Sequence, residues 1–211
     1  MSSVALFPLK NVLFPSSVLP IHVFEGRYIN LINECFREKK EFGINLKEAG
    51  KVYEFGCLAK VSDIVKFYPD GRMDVLIEGT ERFLTHQKSF ANVGYYVADI
   101  DIIPDAPGII DKILLSECVD YYNFIVEHIK NIQIKTIGIE DLHPEKPSYF
   151  LAQKSGLNLA QKYELLIMNL ENDRLQYLLN HLRNIKPLIE EAEFISQIIK
   201  NDGYYRPSFD N

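Results

Sequence analysis

Apolar residues follow two different rhythms along this chain. Up to about Pro104 they come in short runs broken by Pro, Gly and Asp, and beyond it they recur at spacings of three and four. The first rhythm predicts strands and the second helices, so the chain divides into a β-rich segment, 1–104, and a helical segment, 105–211.

In the first segment Pro8, Pro15 and Pro20 punctuate the runs Val4 to Leu9, Val12 to Phe14 and Val18 to Phe24. Leu58 to Phe67 and Met73 to Ile77 flank Tyr68-Pro69-Asp70-Gly71, where Pro presets φ and Gly supplies a positive one, so a β-hairpin is predicted. Thr80 to Gln87 and Val93 to Ile103 continue the pattern. Val93, Tyr95 and Val97 fall on one face of the latter, and Tyr96, Ala98 and Ile100 on the other. Apolar residues on both faces point to a covered or closed sheet, and a small barrel is the economical form. One helix interrupts the strands: Tyr28, Leu31, Ile32, Cys35 and Phe36 make a single stripe that plugs one barrel end. Phe42 to Leu46 then reads as another strand.

The second segment opens with Pro107, suited to the first turn of a helix. Ile110, Ile113, Leu114, Tyr121 and Ile125 keep helical spacing to about Ile132, interrupted by Glu117. Asn158 and Gln161 form a loose capping box before the stripe Leu159, Tyr163, Leu166, Ile167 and Leu170. Leu175, Leu178, Leu179 and Leu182 repeat that spacing after the capping candidates Asn172 and Asp173, so two short antiparallel helices are expected. Leu188 to Lys200 reads as a separate helix started near Pro187, and Asn201 to Asn211 as a tail that frays.

Composition narrows the function more than the fold. The chain is 47% hydrophobic and 25% charged, an ordinary globular balance, and lacks the roughly 18 consecutive apolar residues that cross a bilayer. No membrane partner is expected. The start, Met1-Ser2-Ser3-Val4, has no secretory pattern, which makes the cytoplasm the expected location. A net charge of −6 argues against nucleic acid, whose partners carry a basic face. Cys35, Cys57 and Cys118 are odd in number and far apart, so reduced structural thiols are expected.

Catalytic and metal-binding patterns are missing from the sequence. Gly50-Lys51 is followed by Val52, which breaks the phosphate-loop pattern, and no Ser lies within Gly-x-Ser-x-Gly. His22, His86, His128, His143 and His181 lack zinc-ligand spacing, so no metal and no cofactor are expected. His22 and Glu25 form an imaginable acid and base pair, but a positioning hydrogen bond at a strand end is the preferred reading. Glu190-Glu191 and Asp99 with Asp101 read as solvated surface.

The opening blocks carry a family likeness. Leu6-Phe7-Pro8-Leu9, Asn11-Val12-Leu13-Phe14-Pro15 and Leu19-Pro20-Ile21-His22-Val23-Phe24-Glu25, followed by Arg27-Tyr28, resemble the start of the Lon protease amino-terminal domain. So do Gly56-Cys57-Leu58-Ala59, Asp70-Gly71-Arg72, Glu78-Gly79 with Arg82-Phe83, and the helical stretch Leu157 to Leu182. Gly26 departs from the Pro common in the family. The resemblance, over about residues 4–184, implies an α+β fold: a PUA-like six-stranded β pseudo-barrel with an inserted helix, then an α-helical bundle. In full-length Lon proteases an ATPase and a serine-lysine peptidase module follow this domain. No motif of either stands in these 211 residues, so a stand-alone substrate-binding protein without catalysis is expected.

That likeness implies structural roles for Phe7, Pro8, Pro15, Pro20, His22, Glu25, Arg27, Gly56, Gly79, Arg82 and Phe83. It also implies recognition of unfolded polypeptide or a protein partner, with oligomeric state open. With 13 Phe and 12 Tyr available, Phe14, Phe24, Tyr28, Phe67 and Tyr68 are the candidate contacts, in a mode where an extended peptide adds to a sheet edge. The competing expectation is an RNA- or small-ligand-binding module of the PUA-like kind.

Overall fold

A computed structural model provides the structure and describes residues 2–91, 94–129 and 134–202. Six strands, β1 (Ser2–Leu6), β2 (Val18–Val23), β3 (Phe42–Glu48), β4 (Lys51–Phe67), β5 (Met73–Phe90) and β6 (Tyr96–Ile102), form one sheet in the order β2-β5-β4-β3-β1-β6. An additional β5–β6 pairing closes it into a barrel. Helix α1 (Gly26–Glu38) lies between β2 and β3. After the strands come α2 (Lys112–His128), a 3-10 turn at Ile139–Asp141, α3 (Pro147–Lys154), α4 (Leu159–Ile167) and α5 (Glu171–Asp202).

Closure depends on β5 being long enough to pair along one edge with two strands in turn, β2 and then β6. Its first part pairs with β2, from Met73↔Val23 to Glu78↔Val18, and its last part with β6, from Phe83↔Ile102 to Phe90↔Tyr96. The strands expected at Met73 to Ile77 and Thr80 to Gln87 are therefore one. Gly79 sits at the midpoint because any side chain there would overlap the carbonyl of Phe14, which crosses against the strand. The predicted hairpin forms, with Gly71 at φ 90° and the Tyr68 N–H donating to the Arg72 carbonyl. On the sixth strand Ala98 and Ile100 are buried while Tyr96 is exposed; Val93 lies outside the described residues.

Two large apolar bodies, with a smaller third of Leu6, Leu58, Phe83, Ala98 and Ile100, hold the described residues together. Tyr28, Leu31, Ile32 and Cys35 of α1 pack into the barrel interior with Val23, Phe42, Ile44, Met73, Val75 and Ile77. Phe36, expected on that stripe, is 45% exposed because it stands at its edge. The second body joins Val12, Phe14 and Leu46 to the helices, among them Tyr149, Leu165, Leu166, Leu175, Leu178, Leu179 and Leu182.

Several helix ends differ from the periodicity. The α2 helix begins five residues after Pro107, because the Asp111 carboxylate accepts from the Ile113 and Leu114 N–H groups and caps it there. Its buried face is Leu115, Cys118, Val119, Tyr122 and Ile125, so Ile113 is exposed and Ile110 precedes the helix; the expected end at Ile132 lies outside the described residues. The Asn158–Gln161 capping box forms, but α4 buries Leu165 and Leu166 and leaves Ile167 and Leu170 partly exposed. Asn172 and Asp173 fall inside α5 rather than capping it, and α5 runs through Pro187 without a break. Ile185 and Ile189 both pack on the helical core, so one stripe spans the proline and offsets the single hydrogen bond it removes. Asn201 and Asp202 end α5, and the rest of the expected tail lies outside the described residues.

Barrel and helices are joined by buried charge. Arg82 on β5, 1% exposed, donates to the carbonyls of Leu166 and Met168 at 2.8 and 2.7 Å and pairs with Asp105 at 2.7 Å. Arg174 on α5 meets Asp105 at 3.0 Å, Glu171 and the Ser148 hydroxyl, with its guanidinium 4.4 Å from the Tyr149 ring centre. Two cations thus face two carboxylates, and the α4 C-terminus receives the positive group its dipole favours.

Candidate peptide-binding surface

Beyond Ala59, where its pairing with β3 ends, β4 pairs only with β5. Residues 60–67 therefore form, with β5 and β2, a three-stranded extension with two outer edges. Leu19, Ile21 and Val23 of β2 turn inward, and Val18, Pro20 and His22 outward. Pro20 removes a donor from the β2 edge, and Lys60 and Lys66 charge the β4 edge, both common guards against uncontrolled strand pairing.

At the far end of this extension the register sets Val23, Met73 and Phe67 in one row. Phe24, one residue beyond β2, is 62% exposed and Phe67 is 61% exposed, on strands two spacings apart with their side chains on opposite faces. Between them His22 Nδ1 lies 2.6 Å from Asp74 Oδ1, and the Tyr68 hydroxyl donates to Asp74 Oδ2 at 2.7 Å. The His22 ring meets Phe24 in a stacked pair at 6.2 Å and Tyr68 edge-on at 5.6 Å. Hydrogen bonds from His22 and then Tyr68 hold the Asp74 carboxyl below the usual carboxylate range. Val65, 60% exposed, adds to the apolar rim on β4.

The five aromatic candidates therefore separate. Phe24 and Tyr68 flank His22 on the outer face of this rim, whereas Phe67 shares the opposite face with Met73 and Val23. Phe14 is fully buried against Tyr149, with ring centres 5.5 Å apart, and Tyr28 is 7% exposed and stacked on Phe7 at 4.0 Å. Both are core residues and offer nothing to a partner, the reason being that the segment Val12 to Phe14 and the α1 stripe are what seal the barrel.

The motif residues are distributed through the scaffold. Glu25 pairs with Arg27 at 2.5 Å rather than with His22, and Arg27 also donates to the Gly94 carbonyl at 2.9 Å, pinning the start of α1. Pro8 is half-buried beyond β1, Pro15 is buried and bridges to Gly79, and Phe83 fills the barrel beside Gly43 and Gly56. Arg82 makes the seam described above. The periodicity did not reveal its partners Asp105, Ser148, Glu171 and Arg174; the available signal was Arg174 four residues before Leu178, on the buried face of its helix.

Residues 3–184 match the family described as the ATP-dependent protease La (LON) substrate-binding domain. The chain belongs to this family. Lon protease of Buchnera aphidicola is 25% identical over 213 residues, covering 94% of this chain and 27% of that protein. Lon protease 1 of Bacillus subtilis is 24% identical over 212 residues, with the same coverage of 94% and 27%. The chain thus spans about a quarter of the length of the curated relatives it matches. Among solved structures, a Lon N-terminal domain protein from Xanthomonas campestris superposes with TM-score 0.66 at 23% identity, over 85% of this chain and 98% of that one. The N-terminal domain of Mycobacterium avium complex Lon protease gives 0.60 at 17% identity, over 86% and 98%. These likenesses support the α+β fold of this Lon-type domain. Among the described residues no cluster of His, Cys, Asp and Glu is arranged to hold a metal, and no helix is long and apolar enough to cross a membrane.

Proposed function

We propose that this Lon-type domain is a non-catalytic module of the cytoplasm that captures unfolded polypeptide, or an exposed segment of a protein partner, for ATP-dependent proteolysis. The observation that carries the reading is the exposed end of the β2–β5–β4 extension, where Phe24 and Tyr68 flank His22 on one face and Phe67 stands on the other, both phenylalanines more than 60% exposed. Contiguous exposed apolar patches rimmed by polar residues mark interaction sites. An unfolded chain supplies apolar side chains for the rings, while His22, Asp74 and Lys66 tolerate its main-chain polar groups. The net charge of −6 disfavours nucleic acid in this role.

The test is anisotropy of fluorescently labelled, permanently unfolded casein with the wild-type chain and the F24S/F67S variant. Each ring contributes about 1 kcal/mol after the costs of association, so the double change weakens binding by about tenfold or more. Both side chains are exposed, so folding is preserved. Equal affinity of the variant and wild type refutes the proposal.

A further inference from the structure

At the opposite end of the barrel the two longest strands part. β4 and β5 pair as far as Phe55↔Leu84, after which β4 stays with β3 and β5 passes to β6. A cleft of about 330 Å³ opens between them, a size that admits a small metabolite. Its lining includes three basic side chains, Lys51, His86 and Lys88, and two aromatic ones, Tyr53 of β4 and Tyr163 of α4.

The cleft has a built floor. The β3–β4 register jumps from Asn45↔Gly56 to Lys47↔Val52, and the resulting bulge in β4 brings Tyr53 edge-on to Tyr163 at 4.7 Å. The Tyr163 hydroxyl accepts from the Phe55 N–H at 3.2 Å, fixing the ring that comes from the helical half. Below them Asn45, fully buried, donates through Nδ2 to the carbonyls of Tyr53 and Glu54 and to Thr85 Oγ1, all groups of lining residues. Its Oδ1 is buried with no partner among the described residues.

Charge identifies the occupant. In a chain of net charge −6, Lys51 and Lys88 have no carboxylate partner among the described residues; they lie over the rings of Tyr53 and Tyr96 at 4.7 and 5.9 Å. His86 meets Asp101 at 2.7 Å, and Glu54 is the acidic residue in the lining. We propose that this cleft binds a small phosphorylated molecule of about mononucleotide size. Its phosphate is met by Lys51, Lys88 and His86, and its body rests on Tyr53 and Tyr163, whose floor Asn45 holds from beneath. The site is independent of the aromatic rim and joins barrel to helices through one ligand.

The test uses the intact chain and NMR titration with adenosine 5′-monophosphate, inorganic phosphate and uncharged adenosine. Saturable, salt-sensitive shifts at Thr85, His86 and Tyr163 are expected from the monophosphate, and at His86 from phosphate. The K51Q/K88Q variant weakens monophosphate binding about tenfold, since two exposed charge contacts are lost. Casein capture is unchanged in that variant, so the two sites fail separately. Absence of shifts at low-millimolar monophosphate, equal shifts from adenosine, or shifts that K51Q/K88Q leaves intact overturn the proposal.

Discussion

Replacing Arg82 with Met tests whether the buried charge at the barrel–helix seam holds the two halves together. Removing one member of a buried ion pair costs about 3–5 kcal/mol. Asp105 keeps Arg174 at 3.0 Å and Lys146 at 3.8 Å, which holds the electrostatic part near the low end of that range. The carbonyls of Leu166 and Pro104 lose their guanidinium donors, at about 1 kcal/mol each. The apolar Met side chain recovers about 1 kcal/mol by filling the space. The net loss is about 4 kcal/mol, a large share of the 5–15 kcal/mol that stabilises a typical domain. With a urea m-value of about 2.5 kcal/mol/M, the unfolding midpoint falls by about 1.5 M. Arg82→Lys keeps the charge but not the fork, so its midpoint falls about half as far. Circular dichroism in urea measures both. A midpoint shift below about 0.5 M for Arg82→Met refutes the reasoning, because the seam would then be replaceable by apolar packing.

Three further outcomes follow from single positions. Gly26 occupies the first turn of α1 after Glu25 at φ −81° and ψ 125°, the extended conformation a residue before proline prefers, and a Cβ there meets nothing within 4 Å. Gly26→Pro therefore raises stability by about 0.5–1 kcal/mol in the same urea assay. Asp74 is held below its unfolded value by His22 and Tyr68, so the cluster stabilises the fold above the ordinary carboxylate range and loses that contribution as pH falls through the folded value. The stability gap between wild type and Asp74→Asn is accordingly widest near neutrality and closes in acid, as thermal melts across pH will show. Burial pushes the Cys35 thiol up to about 11 and Cys118 to about 12, with Cys57 higher still. All three stay unreactive toward a thiol-specific chromogen at pH 8 in the native state and titrate fully in denaturant.

What the sequence made legible was local. The turn at Tyr68-Pro69-Asp70-Gly71, the Asn158–Gln161 capping box and the leucines Leu175, Leu178, Leu179 and Leu182 each declare themselves within a few residues, and each forms as expected. Where two local signals competed, tertiary packing decided. Pro187 reads as a helix start, yet the stripe through Leu182, Ile185 and Ile189 continues across it. Pro107 reads as a first turn, yet the Asp111 cap fixes α2 further on. The rim was half legible: Phe24, Phe67 and Tyr68 have the same composition signal as Phe14 and Tyr28, and only tertiary packing separates exposed from buried. The cleft was not legible, because Lys51, Lys88 and Tyr163 approach one another only where β4 and β5 diverge.

Arg82 also sets an order of events during synthesis of the chain. Its nearest carbonyl acceptors belong to residues 84 and 86 positions downstream, so a ribosome working at about 5–20 residues per second leaves the guanidinium waiting roughly 4–17 s for them. Over that interval the cation has Asp105 and the Pro104 carbonyl at hand but lacks the two acceptors that tie it to the helices. The barrel–helix seam therefore completes late, with the emergence of α4, and a holding chaperone has its longest opportunity on this protein before that moment.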